Sequence, residues 1–327
     1  MMKKNRKIQI IGGGYLEVQE ILDRFGEARL PIQAIQIAQH DTRVGEIHEF
    51  MGEPILVVNV DDLSDETYDA AILLSPITQW ERLTREKVLG NTPLIDMAGH
   101  FTPGPNIPVL LPDLHSESIR SLPMIGVVPT GTAHAIASIL KATGELASWR
   151  CITAFTVQGS ARHGSRKAMD ELFDQTRAIL GFKDIECECF PRQLAFNVFH
   201  ADPTDYRSSG IQAVARFVTS NPDLNVYTDH VWSGFFVGIL GTCWLESSRT
   251  FDRNMIRERL SSINRFTWDD DWEGALSFVG CDEIFLREYD DRSETPSRLT
   301  LRFGMDNLRR GLSTTLVNLF NAVWGED

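Results

Sequence analysis

Two glycine-containing turns of the sequence have the residue types that bind anions. The first consists of Gly12, Gly13 and Gly14. It follows a short β-branched run, where dinucleotide-binding folds bring the backbone close to a pyrophosphate. Such a fingerprint needs a further glycine at fixed spacing, but the chain continues with Tyr15, Glu17 and Val18 among the next residues. Side chains and a carboxylate then stand where phosphate would lie, so the pattern favours a turn without a ligand.

The second turn, Val128–Thr132, follows a predicted strand and leads into a helix predicted from Ala133. Backbone N–H groups at a helix start, with the helix dipole behind them, can bind an anion. Thr130, Gly131 and Thr132 are the residues that would contact it. A threonine hydroxyl could equally cap the helix. The sequence therefore leaves an anion site and an ordinary helix cap both open.

The five cysteines are the candidates for a nucleophile. Their odd number and scattered positions predict free thiols in a reducing cytoplasm. Cys187 and Cys189 alternate with Glu186 and Glu188, and neighbouring carboxylates raise a thiol pKa. His100, His115, His134 and His200 have no metal-ligand spacing with one another or with a carboxylate at i+4. We therefore predict no metal site and no replacement nucleophile among these side chains.

Composition restricts the partners of the chain. Its 32 Lys and Arg against 45 Asp and Glu give a net charge of −13, which repels phosphate backbones and anionic lipid headgroups. The longest strongly apolar run, Phe235–Leu245, is about half the length of a spanning helix and contains two glycines. The apolar stretch after the cationic start ends at Gly12, too early for an export signal. We expect a cytoplasmic chain without nucleic-acid or membrane partners.

The elements that would position these residues fall into two groups, because 327 residues exceed one typical domain. In the first third, β-branched runs alternate with polar or helix-like spacers, which is typical of βαβ units. The runs are Ile8–Ile11, Ile32–Ile37, Ile55–Val60, Ala70–Leu74, Leu94–Ala98, Val109–Leu111 and Ile125–Val128. We predict an α/β chain whose residues 1–130 form a Rossmann-like, nucleotide-binding-type domain with a parallel sheet. A C-terminal helix over residues 306–327, capped by Asp306, completes it.

Residues 131–305 have a different character. Their predicted strands are longer and richer in aromatic residues, and helices join them without regular alternation. The strands are Cys151–Val157, Leu194–Phe199, Phe235–Trp244 and Leu299–Met305. This pattern predicts an α+β dimerisation or substrate-type domain with a mostly antiparallel sheet.

Two motifs carry a resemblance to a known family. Phe190–Val198 reads FPRQLAFNV and is similar to the FP(Y/R)QxAFNV segment of the aspartate-semialdehyde dehydrogenase family. Asp306–Gly311 reads DNLRRG and resembles that family's DNLRKG helix start. Weaker matches at Leu30–Ile32, Leu94–Asp96 and Val109–Leu114 keep the same order and spacing over nearly the whole chain. The sequence resembles this family, and most closely its Usg-type paralogues.

The resemblance also implies that catalytic and binding residues of the family are replaced in this chain. The family's acylating Cys, which stands at a helix N-terminus, matches Gly131, and its general-base His matches Ile239. Neither residue can attack a carbonyl or accept a proton. Four other functional positions match unsuitable residues: the fingerprint glycines match Tyr15 and Val18, the substrate-phosphate Arg matches Thr102, and a carboxylate matches Ala213. The degenerate cofactor site that remains comprises Gly12, Gly13, Gly14, Asn307 and Gly311.

Two functional hypotheses follow. The first is a non-catalytic, dimeric binding or assembly protein that needs no cofactor and pairs with itself or with an active dehydrogenase paralogue. The second is an enzyme: either an active semialdehyde dehydrogenase of amino-acid biosynthesis that uses displaced residues and NADP or NAD, or an enzyme of changed chemistry at the same cleft. Gly131 and Ile239 favour the first. The resemblance implies an obligate dimer, and the second domain has large apolar residues that could cover a partner: Phe196, Phe199, Trp232, Phe235, Phe236 and Trp244.

Overall fold

The computed structural model describes residues 6–39, 43–63, 66–75, 91–115, 119–202, 210–289 and 295–325. The chain forms two compact units. The first unit comprises Met1–Pro129 and Leu312–Asp327, and the second comprises Thr130–Gly311.

The helices and strands have the following bounds. The strands are β1 Arg6–Ile11, β2 Ile32–Gln39, β3 Ile47–Phe50, β4 Glu53–Asn59, β5 Ala70–Leu73, β6 Leu94–Asp96, β7 Ile125–Val127, β8 Trp149–Gln158, β9 Val198–His200, β10 Asn225–Ser233, β11 Ile239–Ser247, β12 Phe266–Trp268, β13 Ile284–Glu288 and β14 Arg298–Met305. The described α-helices are α1 Tyr15–Glu27, α2 Pro112–His115, α3 Gly131–Thr143, α4 Arg166–Leu180, α5 Ile211–Thr219, α6 Arg253–Ser261 and α7 Thr314–Trp324. Within the described ranges, no helix is long and apolar enough to cross a membrane.

The first unit is built on a parallel sheet, as the alternating β-branched runs predict. Its strand order is β3-β4-β2-β1-β5-β6-β7, and only the β3–β4 pair is antiparallel. The central strands are apolar and buried, because parallel sheets are covered on both faces. Helix α1 turns one apolar face inward, and its Phe25 ring lies 5.5 Å from the Phe320 ring of α7. The glycine turn therefore lies between a buried central strand and a packed helix.

The C-terminal helix begins at Thr314, so the prediction of a helix over residues 306–327 has the wrong start. Arg310 has a ψ of 128° and Gly311 a φ of +77°, and both values interrupt a helix. Asp306 does not cap α7. Its carboxylate instead accepts hydrogen bonds from the N–H groups of Leu308 (2.9 Å) and Gly280 (2.8 Å). The DNLRRG motif is consequently a turn of the second unit that precedes the helix.

The second unit contains the predicted mostly antiparallel sheet. Its strand order is β12-β13-β14-β11-β8-β10-β9, with parallel pairing only between β8 and β10 and between β12 and β13. Helix α3 packs on β11 and on helices α5 and α6, and nearly all of its residues are buried. These helices cover one face of the sheet, which we call the inner face. The opposite face is called the outer face.

Several predicted strand bounds are wrong for local reasons. The Leu194–Phe199 segment is a strand only from Val198, because Phe196 adopts a left-handed φ of +58°. The Phe235–Trp244 segment becomes a strand only at Ile239, directly after Gly238 with its φ of +116°. The Val109–Leu111 run makes a single bridge, from Val109 to Val127. Backbone turns at single residues shorten these strands, and hydrophobic patterns do not report such turns.

Candidate functional site

The glycine turn of the first unit is closed by side chains of that unit. Gly12 and Gly13 have φ values of +77° and +85°, which favour glycine. The Gly13 N–H donates to Ser75 Oγ at 2.9 Å, and the Gly14 N–H donates to Glu17 Oε2 at 2.9 Å. Glu17 is only 7% exposed. Two backbone donors that could face a pyrophosphate are therefore already used, one of them by a carboxylate at the start of α1.

The carbonyl side of the same turn is also held. Gln39 Nε2 donates to the carbonyl oxygens of Gly12 (2.8 Å) and Gly13 (2.9 Å), and Arg43 donates to the Gly13 oxygen as well. Next to the turn, the Tyr15 ring stacks on His48 with ring centres 4.6 Å apart. The turn is thus fixed by hydrogen bonds on both its donor and its acceptor sides.

The start of α3 in the second unit has an unusual neighbour. Thr130 is the N-cap residue but makes no capping hydrogen bond through its side chain, and Gly131 has a φ of +52°. A Cβ atom at Gly131 would lie 3.0 Å from Cζ and Nη2 of Arg162 and 3.1 Å from its Nε, closer than ordinary contact at 3.4–4 Å. Arg162 is 5% exposed. A buried guanidinium therefore lies in tight contact with the position where a side chain of residue 131 would begin.

A framework of backbone hydrogen bonds holds the segment that carries Arg162. The N–H groups of Gly159, Ser160 and Ala161 donate to the carbonyls of Gly238, Phe235 and Phe236 at 2.8–3.1 Å. A Cβ at Gly159 would lie 2.7 Å from the Phe236 oxygen, so this approach requires glycine.

Asn307 extends that framework, since its side-chain oxygen accepts from the Gly238 N–H at 2.8 Å. Asn307, placed in the degenerate cofactor site by the resemblance, is a buried structural contact of the second unit.

Gly311 lies against the same helix start. With its φ of +77°, a Cβ at this residue would be 3.0 Å from His134 Cβ and 3.1 Å from the Gly131 nitrogen. The structure therefore brings Gly131, Gly311 and Arg162 together, although sequence analysis assigned the two glycines to different roles and did not use Arg162.

A row of polar side chains continues from the helix start into the sheet. The Thr132 hydroxyl lies 3.4 Å from Thr156 Oγ1, which is 2.6 Å from His230 Nδ1. Gln158 Nε2 reaches the same threonine oxygen at 3.4 Å. All four side chains are buried. Thr132 thus takes part in an internal polar cluster of the second unit.

The residue at the predicted base position offers no proton acceptor. Ile239 is fully buried at the first position of β11, paired with Gln158 of β8 and Met305 of β14. Its side chain has only hydrocarbon atoms, so it contributes packing and no acid–base chemistry. The other two matched positions lack the expected groups as well: Thr102 lies in the loop after β6 and Ala213 on α5.

Four of the five cysteines have a thiol pKa shifted away from activation. Burial raises the pKa of Cys243 to about 12. Burial, with the Glu171 carboxylate second, also raises the pKa values of Cys187 and Cys189. The pKa of Cys281 is raised chiefly by burial and then by Glu283. A reactive thiol needs the opposite shift. In the described part of the chain, no group of three or more His, Cys, Asp or Glu side chains could hold a metal ion.

Comparison with known proteins extends this picture. No protein-family model matches the chain. The aspartate-semialdehyde dehydrogenase of Rickettsia bellii is 23% identical over 331 residues, covering 97% of both chains. The enzyme of that name from Synechocystis is 20% identical over 324 residues, covering 96% of both chains.

Solved structures show the same relation in the fold. Aspartate semialdehyde dehydrogenase II of Vibrio cholerae superposes with a TM-score of 0.84 at 19% identity, and the match covers 98% of each chain. A probable aspartate-semialdehyde dehydrogenase of Pseudomonas aeruginosa gives a TM-score of 0.81 at 17% identity over 97% of each chain. Both sheets and their order along the chain belong to this two-domain fold. The protein is therefore aspartate-semialdehyde dehydrogenase-like, in sequence over nearly its whole length and in its fold.

Proposed function

We propose that this chain is a non-catalytic relative of the aspartate-semialdehyde dehydrogenases, similar to the Usg-type paralogues, and acts as a dimeric binding or assembly protein. The observation that carries this proposal is the contact between Gly131 and Arg162. The position matching the nucleophile has no side chain, and a buried guanidinium lies only 3.0 Å from where its Cβ would be. An acyl-enzyme cannot form without a nucleophile at this position.

The absence of a base supports the same proposal. Activation of a nucleophile requires a proton acceptor within hydrogen-bond reach, and Ile239 has none to offer. A displaced thiol is the remaining route to the covalent step, but burial raises the pKa values of Cys187, Cys189, Cys243 and Cys281. These shifts count against an active dehydrogenase that uses displaced residues.

The cofactor is also expected to be absent. In the glycine turn, Ser75 and Glu17 already accept the N–H groups of Gly13 and Gly14, and the Glu17 carboxylate repels a pyrophosphate. We propose that NADP and NAD bind weakly or not at all at Gly12, Gly13 and Gly14.

The start of α3 is the remaining candidate for a ligand. We propose that Thr130, Gly131 and Thr132 contact a carboxylate or phosphate group without forming a covalent bond. The helix N-terminus and the Arg162 guanidinium both contribute positive potential there.

We propose a homodimer formed through the outer face of the second unit, as the resemblance implies. Aromatic side chains on this face are partly open to solvent: Tyr227, Trp244 and Tyr289 are 60%, 42% and 43% exposed. Exposed aromatic surface of this kind is typical of protein interfaces. Phe199 and Trp232 are not available, since both are buried in a core cluster with Phe190. Free thiols at all five cysteines agree with the proposed cytoplasmic location.

The proposal is tested by assaying NADPH formation from aspartate semialdehyde, phosphate and NADP, beside an active dehydrogenase as the positive control. We expect the rate to equal that of buffer, because the covalent step has neither nucleophile nor base. Calorimetry with NADP on the same preparation should show no binding tighter than about 1 mM.

A rate above buffer that disappears when one cysteine is replaced would contradict the proposal and restore the enzyme hypothesis. The matched variant Gly131→Cys/Arg162→Ala supplies a thiol together with the space for it. Alkylation of Cys at position 131, followed by mass spectrometry, should be faster in this double variant than in Gly131→Cys alone.

A further inference from the structure

The outer face of the second sheet carries opposite charges at its two sides. Strand register places five outward-facing residues in one row across five strands: Asp229 on β10, Phe155 on β8, Thr242 on β11, Arg302 on β14 and Arg287 on β13. We call this set the charged row. It begins with a carboxylate and ends with two guanidinium groups.

The two arginines form an unusual pair. Arg287 and Arg302 lie directly opposite each other on neighbouring antiparallel strands, an arrangement that is unfavourable for like charges. Arg287 lies over the Trp272 ring at 4.5 Å and Arg302 over the Tyr289 ring at 4.2 Å. Within the described ranges, neither guanidinium has a carboxylate within 4.0 Å, and Arg287 donates to a backbone oxygen of Asp270 at 2.8 Å. The aromatic rings therefore hold two cations side by side.

A cavity of about 370 Å³ opens beside the pair on the outer face. Both guanidinium groups line it, together with Phe155, Trp272 and the Glu273 carboxylate. The cavity therefore opens beside the two cations with one carboxylate of the same unit in its lining.

Asp229 supplies the opposite charge on the same face. Its side chain is 55% exposed and lies 3.2 Å from His200, which is itself 74% exposed. The other carboxylate in these outward rows, Glu246, is already held between Arg150 and Arg298. Asp229 is thus the carboxylate at the end of the charged row opposite the two arginines.

We infer that a second copy of this chain packs on the outer face with its charged row reversed, so that Asp229 of the partner subunit faces the Arg287–Arg302 pair. This inference rests on the homodimer proposed above and adds its orientation. Two copies of one sheet face can pack only about a two-fold axis that lies in the interface. An axis parallel to the strands reverses the row and brings opposite charges together. An axis across the strands would place arginine on arginine and Asp229 on its own copy.

The net charge of the whole chain is a reason to expect pairing of opposite charges at the contact. Each copy has a net charge of −13, so association brings two anionic surfaces together. Local pairing of opposite charges on the contact face offsets that repulsion and selects the orientation.

The test uses two variants of the full chain, Arg287→Asp/Arg302→Asp and Asp229→Arg, with molar mass measured by light scattering. In each variant alone the row has one sign of charge at both ends, so we expect dimer affinity at least about 100-fold below that of the wild type. Mixing the two variants should restore a dimer near twice 36.9 kDa, because every contact of the mixed pair joins opposite charges. Recovery on mixing also shows that both variants are folded.

The control is Arg166→Asp, which reverses a charge on α4. Apolar residues of this helix pack in the core cluster that contains Trp232, and Arg166 is not part of the charged row. This variant should leave the dimer intact. A wild-type chain that stays monomeric at micromolar concentration would overturn the homodimer itself. A wild-type dimer that survives both charge reversals, or that fails to re-form on mixing them, would overturn the reversed row and leave the homodimer standing.

Discussion

Both glycine turns examined in this molecule are closed by a charged side chain of their own unit, but the two charges have opposite sign. In the first unit the Glu17 carboxylate accepts from the Gly14 N–H at the start of α1. In the second unit the Arg162 guanidinium lies over Gly131 at the start of α3. A helix N-terminus attracts anions in both places, so the side chain decides what can bind. In the first turn the Gly14 N–H group is already hydrogen-bonded within its own unit. In the second turn the Arg162 guanidinium adds positive potential at the helix start.

The two closures also differ in how far along the chain the charged residue lies. Glu17 is three residues from Gly14, so one local capping motif closes the turn. Arg162 lies about 30 residues beyond Gly131 and is positioned by the contact of residues 159–161 with residues 235–238. The first turn therefore depends on local sequence, and the second depends on the folded second unit.

The largest effect is expected from Gly131→Ala. With alanine in place of Gly131, the backbone would have to keep the strained φ of +52°. The added Cβ would lie 3.0 Å from the Arg162 guanidinium. Left-handed strain and the close contact together should lower the free energy of unfolding by about 2 kcal/mol. Urea denaturation followed by circular dichroism measures the change.

Gly210→Ala is the matched control, because Gly210 also stands at a helix start with a φ of +80° but has no atom of the described residues within 4 Å of its Cβ position. Its cost should be about 1 kcal/mol, from backbone strain alone. Repeating Gly131→Ala in an Arg162→Ala background should recover about 1 kcal/mol. Equal costs in both backgrounds would show that Arg162 does not restrict the space over Gly131.

A smaller loss is expected when the first turn is opened. Glu17→Ala removes the acceptor of the Gly14 N–H and the favourable charge at the start of α1, which should cost about 1 kcal/mol. Glu17→Gln keeps a side-chain oxygen and should recover part of this loss. Thermal unfolding of the three chains side by side checks the order. A Gln variant no more stable than the Ala variant would mean that the hydrogen bond contributes nothing.

Most of the first unit could be predicted from the sequence, because buried parallel strands have nearly continuous apolar sequences. Ile8–Ile11 and Ala70–Leu74 match β1 and β5 to within two residues at either end. Strand β3, Ile47–Phe50, was missed because it is a short edge strand with mixed polarity. In the second unit β10 was missed for a similar reason, since the exposed Asn225, Tyr227 and Asp229 interrupt the apolar pattern of its first half.

The site could be predicted only where it depends on residue type. The absence of a thiol at Gly131 and of an imidazole at Ile239 is visible in the sequence once the resemblance is recognised. The position of Arg162 is not, because it results from a non-local contact that requires Gly159 and the carbonyls of Phe235 and Phe236. Its only signal is a short cationic segment with glycines on both sides, and such segments are common in loops.

The smallest predicted effect concerns pH and compares one buried carboxyl group from each unit. Burial raises the pKa of Asp96 in the first unit and of Asp306 in the second, and backbone N–H groups oppose the shift in both cases. A raised pKa in the folded state means that folding favours the protonated acid. Each group's contribution is therefore complete below the unfolded value of 3.8 and is lost as pH rises through the folded value.

Asp96→Asn and Asp306→Asn each remove this titration, so the stability of each variant relative to the wild type should rise with pH above 3.8. Urea titrations at several pH values between about 3.5 and 7 give the difference directly. Asp61→Asn, at an exposed carboxylate, is the control for removing one negative charge from the surface. If the stability difference of Asp96→Asn instead fell as pH rose, its backbone hydrogen bonds to Ala98 and Phe101 would outweigh burial, and the carboxylate would be the form that the first unit stabilises.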